Sequence, residues 1–135
     1  MAHTKFPAEV LTPEGEVFND EVEMVSTRTT IGSIGILANH EPVLAMLEPT
    51  ELRLYRTESE IVRFAQAEGY MQIANNRALI LVEEAHPPNE LEVSDLRERL
   101  QRAERELEAA GEDSERRRVA ERDKRRWETF LRLAG

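Results

Sequence analysis

Up to Glu84 the apolar residues come in short runs, often at every second position, as in Glu21-Val22-Glu23-Met24-Val25 and Glu51-Leu52-Arg53-Leu54-Tyr55. Alternation of this kind turns one face of a strand inward and the other toward water. Further strand candidates are residues 6–11, 61–67, 69–74 and 78–82, divided by turn formers. About eight to ten short strands at such spacing predict an antiparallel β-sandwich or barrel. Asn75-Asn76, between Ile73 and Leu79, has the chemistry of a tight hairpin turn, because asparagine tolerates positive φ. No helix-period pattern occurs in this part to supply a βαβ crossover.

The pattern changes at His86-Pro87-Pro88-Asn89. Neither proline can donate a ladder hydrogen bond, and each biases the preceding residue away from helix, so this stretch is predicted to be a linker. Beyond it Val93, Leu96, Leu100, Ala103, Leu107 and Ala110 recur in steps of three and four, which predicts a helix with one narrow apolar stripe. Ser94 is a candidate cap for its first turn, with Asp95 just inside where the helix dipole favours negative charge. Gly111-Glu112-Asp113-Ser114 then stops one helix and starts another, with Asp113 or Ser114 as the next N-cap. The second helix carries Val119, Ala120, Trp127, Phe130, Leu131 and Ala134, crowded toward its end. The expected organisation is a β-sandwich over 1–86, a linker over 87–90 and an antiparallel two-helix hairpin over 91–135. A stripe of medium-sized side chains, each contributing roughly 1.5–3 kcal/mol when fully buried, holds such a hairpin weakly against ordering entropy, so mobility is expected.

Composition narrows the function classes. The chain of 135 residues has no cysteine, which excludes disulfides, thiolate metal sites and cysteine nucleophiles together. No apolar run reaches the length of a membrane span, so any membrane association is expected through a partner. The formal charge of -9 repels nucleic acid and anionic lipid alike. That charge is uneven: residues 1–90 hold 15 acidic and 6 basic side chains, whereas residues 114–135 hold 4 and 8. The last segment is therefore a cationic strip on an acidic protein, suited to an anionic protein partner or to the acidic body of the chain itself.

Catalytic equipment is absent from the pattern. There is no phosphate-binding Gly-x-x-x-x-Gly-Lys, no His-Glu-x-x-His and no Gly-x-Ser-x-Gly, and His3, His40 and His86 are isolated from one another. Neither a catalytic residue, a metal site nor a cofactor is expected. The densest unusual segment is Ile31-Gly32-Ser33-Ile34-Gly35-Ile36-Leu37-Ala38-Asn39-His40-Glu41-Pro42. Without a following helix or lysine, its two glycines read as a pair of sharp backbone bends between strands.

Gly32, Gly35, Ile36, Leu37, His40 and Pro42 together form Gly-x-x-Gly-Ile-Leu-x-x-His-x-Pro, which resembles the signature of epsilon subunits of bacterial F-type rotary ATP synthases. The resemblance continues through Leu47 to Leu52, Glu68-Gly69-Tyr70, Leu79 to Ala85 and Arg102-Ala103-Glu104, and so covers nearly the whole chain. It implies a non-catalytic central-stalk subunit, peripheral to the cytoplasmic face of the bacterial plasma membrane, that couples the gamma shaft to the membrane ring of c subunits. Gly32, Ser33, Ile34, Gly35 and His40 would contact the ring or gamma. The hairpin would inhibit ATP hydrolysis by pressing Arg116, Arg117, Arg118, Arg122, Arg125 and Arg126 against the catalytic beta and alpha subunits. From the residues alone the same arginines read either as a docking strip or as a solvated helix face.

Departures from the family pattern sharpen the expectation. Ser33 stands where the family often has a carboxylate facing the ring, and Thr29 and Thr50 replace usual turn glycines. Some members bind ATP at the start of the first C-terminal helix, where this chain has Leu91, Glu92 and Asp95. Asp95 falls where an arginine would meet phosphate, which predicts weak ATP binding or none. The alternative reading is an adaptor whose β-sandwich presents a helical hairpin to an unrelated partner.

Overall fold

The computed structural model describes residues 3–134. Short alternating runs become ten strands: β1 Phe6–Thr12, β2 Gly15–Val22, β3 Met24–Thr29, β4 Gly32–Ile36, β5 Val43–Leu47, β6 Thr50–Tyr55, β7 Ile61–Gln66, β8 Gly69–Ala74, β9 Arg77–Val82 and β10 Ala85–His86. A 3₁₀ turn, Pro88–Glu90, precedes helices α1 Val93–Ala110 and α2 Ser114–Ala134. The chain divides into two compact units, Met1–Pro87 and Pro88–Gly135.

In the first unit hydrogen bonding runs in the order β10-β7-β6-β3-β5-β8-β9-β1-β2, with β4 added to β3. β3 and β5 share only the pair Thr29–Leu47, flanked by Thr30 N–H donating to Met46 O at 3.1 Å and Glu48 N–H to Arg28 O at 3.0 Å. At that corner the sheet folds over, and inward residues of both halves meet in one core. Val10, Val22, Val25, Ile36, Leu52, Leu54, Met71 and Ile80 are all fully buried there.

All pairings are antiparallel except β1 with β9, which run parallel. Parallel neighbours need a long connection, and here the whole intervening chain supplies it. Asn75 and Asn76 take φ of 52° and 57° between the paired residues Ala74 and Arg77, as the turn chemistry predicts.

Several local expectations are corrected. Glu21 to Val25 is not one strand: β2 ends at Val22, β3 begins at Met24, and Glu23 N–H donates across the break to Tyr55 O at 2.7 Å. Val22 and Val25 are both fully buried although three apart, a spacing that period-2 geometry forbids within one strand. Of the two glycines read as bends, only Gly32 has positive φ, at 137°; Gly35 lies inside β4 opposite Ser26, and the second bend is at Asn39, φ 62°. His86 lies in β10, paired with Ala65, and the linker residues 87–90 follow it.

In the second unit α1 and α2 pack as a hairpin around Leu96, Ala103, Ala110, Ala120, Trp127 and Phe130, all buried. Ser94 does not cap α1: Glu92 holds the N-cap position, without a side-chain cap, and its carbonyl accepts the Leu96 N–H at 3.0 Å. Asp113 caps α2, its Oδ1 accepting the Arg116 N–H at 3.1 Å. Gly111 ends α1 at φ 56° and ψ −119°, a positive-φ conformation that suits glycine although it is not the left-handed helical cap.

Candidate docking surfaces

The segment carrying Gly32, Ser33, Ile34 and Gly35 is the β3–β4 hairpin, closed by the pair Thr29–Gly32 with Thr30 and Ile31 as its loop. Thr29 tightens the turn, its hydroxyl donating to Gly32 O at 2.9 Å and accepting the Ile31 N–H at 3.2 Å. Ile31 stands at the apex, 96% exposed. Strand alternation then turns Ser33 and Gly35 outward, while Ile34 packs against the core. His40 lies beyond the strand, half-buried, and its Nδ1–H donates to Glu41 O at 2.7 Å. Its turn is held by Asn39 N–H donating to Asn76 Oδ1 at 2.7 Å. Of the five residues, Ser33 and Gly35 share an open face; Ile34 faces the other way and His40 belongs to a separate turn.

A larger surface was not anticipated. Met46 pairs with Tyr70, Tyr70 with Leu81, and Leu81 with Leu11, so four adjacent strands place an apolar row on the outer face of the sandwich. Met46 is 57% exposed, Tyr70 50% and Leu81 42%, and Leu44, two residues along β5 on the same face, is 72% exposed. Tyr70, Leu81 and Leu11 join Pro13 and Gly69 around a groove of about 360 Å³. Its sequence signal was available: β5 reads Val43-Leu44-Ala45-Met46-Leu47, and Leu79-Ile80-Leu81-Val82 in β9 likewise has no polar face. Singly exposed apolar residues are ordinary, whereas a contiguous row marks a binding surface.

On α2, Arg118, Arg122 and Arg125 follow at steps of four and three and share one face, which the exposed Arg132 extends. Arg118 binds Glu115 at 2.6 Å, and that hydrogen bond holds the Glu115 carboxyl below its ordinary pKa. Arg122 pairs with Asp123 at 2.9 Å, while Arg117 reaches Glu121 at 3.6 Å and Gly111 O at 3.2 Å. Arg116 and Arg125 are exposed. Arg126 departs from the strip: it is 9% exposed, with its guanidinium carbon 5.2 Å from the centre of the Trp127 ring. A planar guanidinium stacks well on indole, which lets an arginine leave the surface.

At the start of α1, Leu91 is half-buried with its N–H on Pro88 O at 3.3 Å, and Glu92 is exposed. Asp95 accepts from Arg99 Nε at 3.0 Å. Of the three, Glu92 and Asp95 carry carboxylates, and that of Asp95 is paired with Arg99. Among the described residues no group of His, Asp and Glu could hold a metal ion, and no helix is long and apolar enough to cross a membrane.

Residues 5–88 match the family model described as ATP synthase, Delta/Epsilon chain, beta-sandwich domain. The ATP synthase epsilon chain of Persephonella marina is 38% identical over 131 residues, covering 96% of this chain and 96% of that relative. That of Rubrobacter xylanophilus is 35% identical over 130 residues, covering 93% of this chain and 88% of the relative. Among solved structures, a chain of the Euglena gracilis mitochondrial ATP synthase, in an OSCP/F1/c-ring structure, superposes with a TM-score of 0.79 over 97% of this chain and 82% of that one. At 19% identity this last likeness speaks for the fold alone. A matching sandwich model and relatives that align nearly end to end leave one assignment: the chain belongs to the ATP synthase epsilon chain family, whose members are structural and regulatory subunits rather than catalytic ones.

Proposed function

We propose that this protein is a central-stalk subunit that couples the gamma shaft to the membrane ring of c subunits, with its helical hairpin as a brake on ATP hydrolysis. The observation that carries the reading is the outer apolar row Leu11, Leu81, Tyr70 and Met46. A rotor subunit must move as one body with its shaft, which calls for a lasting interface rich in apolar contacts. Met46, Tyr70 and Leu81 each have about half of their area left to bury, so a partner that covers them completely contributes roughly 1 kcal/mol per residue.

In this reading the row docks on gamma, and the β3–β4 hairpin, with Ser33 and Gly35 outward, meets the ring or the foot of the shaft, while His40 contributes from its separate turn. Ser33 replaces a carboxylate, so the ring contact lacks an ion pair at that position. The exposed face of Arg118, Arg122 and Arg125 meets acidic surfaces of the catalytic beta and alpha subunits, where charge-assisted hydrogen bonds are strong. ATP is bound weakly or not at all by Leu91, Glu92 and Asp95, because carboxylates repel phosphate. The complex holds the subunit at the cytoplasmic face of the bacterial plasma membrane.

Affinity capture of the full chain from a lysate of its source tests the coupling role, with gamma and the c ring expected in the bound fraction; a folded chain that captures neither removes it. The brake is tested separately by deleting residues 89–135 in the assembled complex. ATP hydrolysis is expected to rise with synthesis retained, and unchanged hydrolysis removes the brake while leaving the coupling role standing.

A further inference from the structure

The seam between α1 and α2 is unevenly built. Near the Gly111 turn its buried positions are the alanines Ala103, Ala110 and Ala120, and the larger Leu100, Leu107 and Val119 are only half-buried. Large buried side chains, Leu96, Trp127 and Phe130, gather at the opposite, open end of the hairpin. There Trp127 and Phe130 meet edge to face, with ring centres 5.8 Å apart at 80°.

Trp127 also carries a cation from each helix. The guanidinium carbon of Arg99, on α1, lies 5.0 Å from the indole centre, and that of Arg126, on α2, lies 5.2 Å from it. Both distances fall within the reach of a cation–π contact. Of these two contacts, the one made by Arg99 joins α1 to α2. The Arg99 Nε is held at 3.0 Å by Asp95 one turn earlier, which aims the guanidinium, while its side chain remains 43% exposed and open to water.

We propose that the Arg99–Trp127 contact is an interhelical latch that sets how readily the hairpin opens from its free end. Separating the helices there removes Arg99 from the indole, whereas the Arg126–Trp127 contact lies within α2 and does not itself hold the two helices together. The alanine-lined remainder of the seam offers little apolar area to resist once the aromatic end has parted. The latch needs a planar cation as well as a charge, so lysine is an incomplete substitute.

Two properties of the chain make the test direct: Trp127 is its only tryptophan, and it has no cysteine to interfere with spin labels. In the full-length chain, label pairs at the exposed positions 98 and 128 report the open end, and pairs at 108 and 115 report the turn. Arg99→Gln is expected to add a longer component to the 98–128 distance distribution, with its population raised roughly 2- to 5-fold, as loss of one cation–π contact implies. Acrylamide quenching of Trp127 rises with it, the 108–115 distances stay unchanged, and Arg99→Lys falls between the variant and the parent. Unchanged 98–128 distances and quenching in Arg99→Gln overturn the latch. Equal broadening at both label pairs, or loss of the helical circular dichroism signal, also overturns it, because either result assigns Arg99 to the hairpin as a whole.

Discussion

The Thr27 hydroxyl donates to the side-chain carbonyl of Gln66 at 2.6 Å, linking positions 39 residues apart inside the sandwich. The amide of Gln66 donates in turn to Glu48 O at 2.8 Å and Ala67 O at 3.1 Å. One fully buried side chain thus ties β7 to β3 and to the segment leaving β5, at the corner where the two halves of the sheet join. Leucine fits a similar volume but leaves a hydroxyl and two carbonyls without this partner. Gln66→Leu is expected to destabilise the sandwich by about 3 kcal/mol, seen in urea titration as a lower midpoint with the slope unchanged.

Gly69 and Gly35 make opposite predictions from the same residue type. A Cβ on Gly69 would collide with the Leu81 carbonyl oxygen and Val82 Cα, both backbone atoms that cannot turn aside. On Gly35 a Cβ meets nothing nearer than Met24 Sδ at 3.7 Å, at an ordinary strand φ. Gly69→Ala is expected to cost more than about 2 kcal/mol by overpacking, whereas Gly35→Ala leaves stability unchanged or raises it by up to about 1 kcal/mol. Thermal unfolding of the two variants beside the parent checks both.

Much of this architecture was legible in the chain because short-range rules govern it. Leu52 and Leu54 show the alternation of a one-sided strand, and Asn75-Asn76 shows a turn whose φ few other residues accept. Other features depend on distant partners. The β1–β9 pairing joins strands at opposite ends of the domain, and Gln66 reads as a surface residue until Thr27 and Glu48 O are brought to it. Glu23 hides a break inside what looks like one alternating run. Gly32 was visible from turn chemistry, whereas six arginines of α2 read as one strip, of which helical spacing puts Arg118, Arg122 and Arg125 on a common face. Burial of Arg126 was not visible, because it depends on an indole that stacks with the guanidinium. The apolar row escaped notice because period-2 reasoning expects a polar outer face, and Leu44, Met46 and Leu81 depart from it.

The hairpin turn between β8 and β9 offers a position-specific test. Asn75 and Asn76 both have left-handed φ, but only Asn76 also accepts a bond, from Asn39 N–H. Asn75→Gly is expected to be neutral or stabilising by a few tenths of a kcal/mol, roughly what relief of positive φ gives. Asn76→Gly relieves the same φ but gives up a hydrogen bond worth about 1 kcal/mol. The ordering of the two urea midpoints decides whether that bond matters.

Glu9 supplies a prediction in pH. Its carboxyl is held above the ordinary carboxylate pKa, chiefly by a hydrogen bond with Glu16, then by burial and the Glu16 charge, with Arg77 opposing. A folded-state pKa above the unfolded value contributes stability that is complete below the unfolded pKa and is lost as pH rises through the folded one. Relative to Glu9→Gln, the parent is therefore expected to lose stability as pH rises from about 4 toward neutrality. Unfolding midpoints of the two proteins converge near pH 4 and separate above it, with the variant the more stable; parallel curves would show that the pair does not share a proton.

The apolar row gives the last prediction, and it separates folding from docking. Met46 and Leu81 project from strands whose inward neighbours Leu47, Ile80 and Val82 fill the core, so a charge on either outer position meets water in the free protein. Met46→Asp and Leu81→Asp are expected to change the unfolding midpoint by no more than about 0.5 kcal/mol equivalent. Burying that carboxylate against a shaft, unpaired, costs several kcal/mol, enough to lower affinity by about a hundredfold or more. Capture of gamma by either variant should therefore collapse while circular dichroism and melting remain those of the parent. If both variants capture gamma as the parent does, the shaft rests on another face of the sandwich, and the outer row of β5, β8 and β9 has a different occupant.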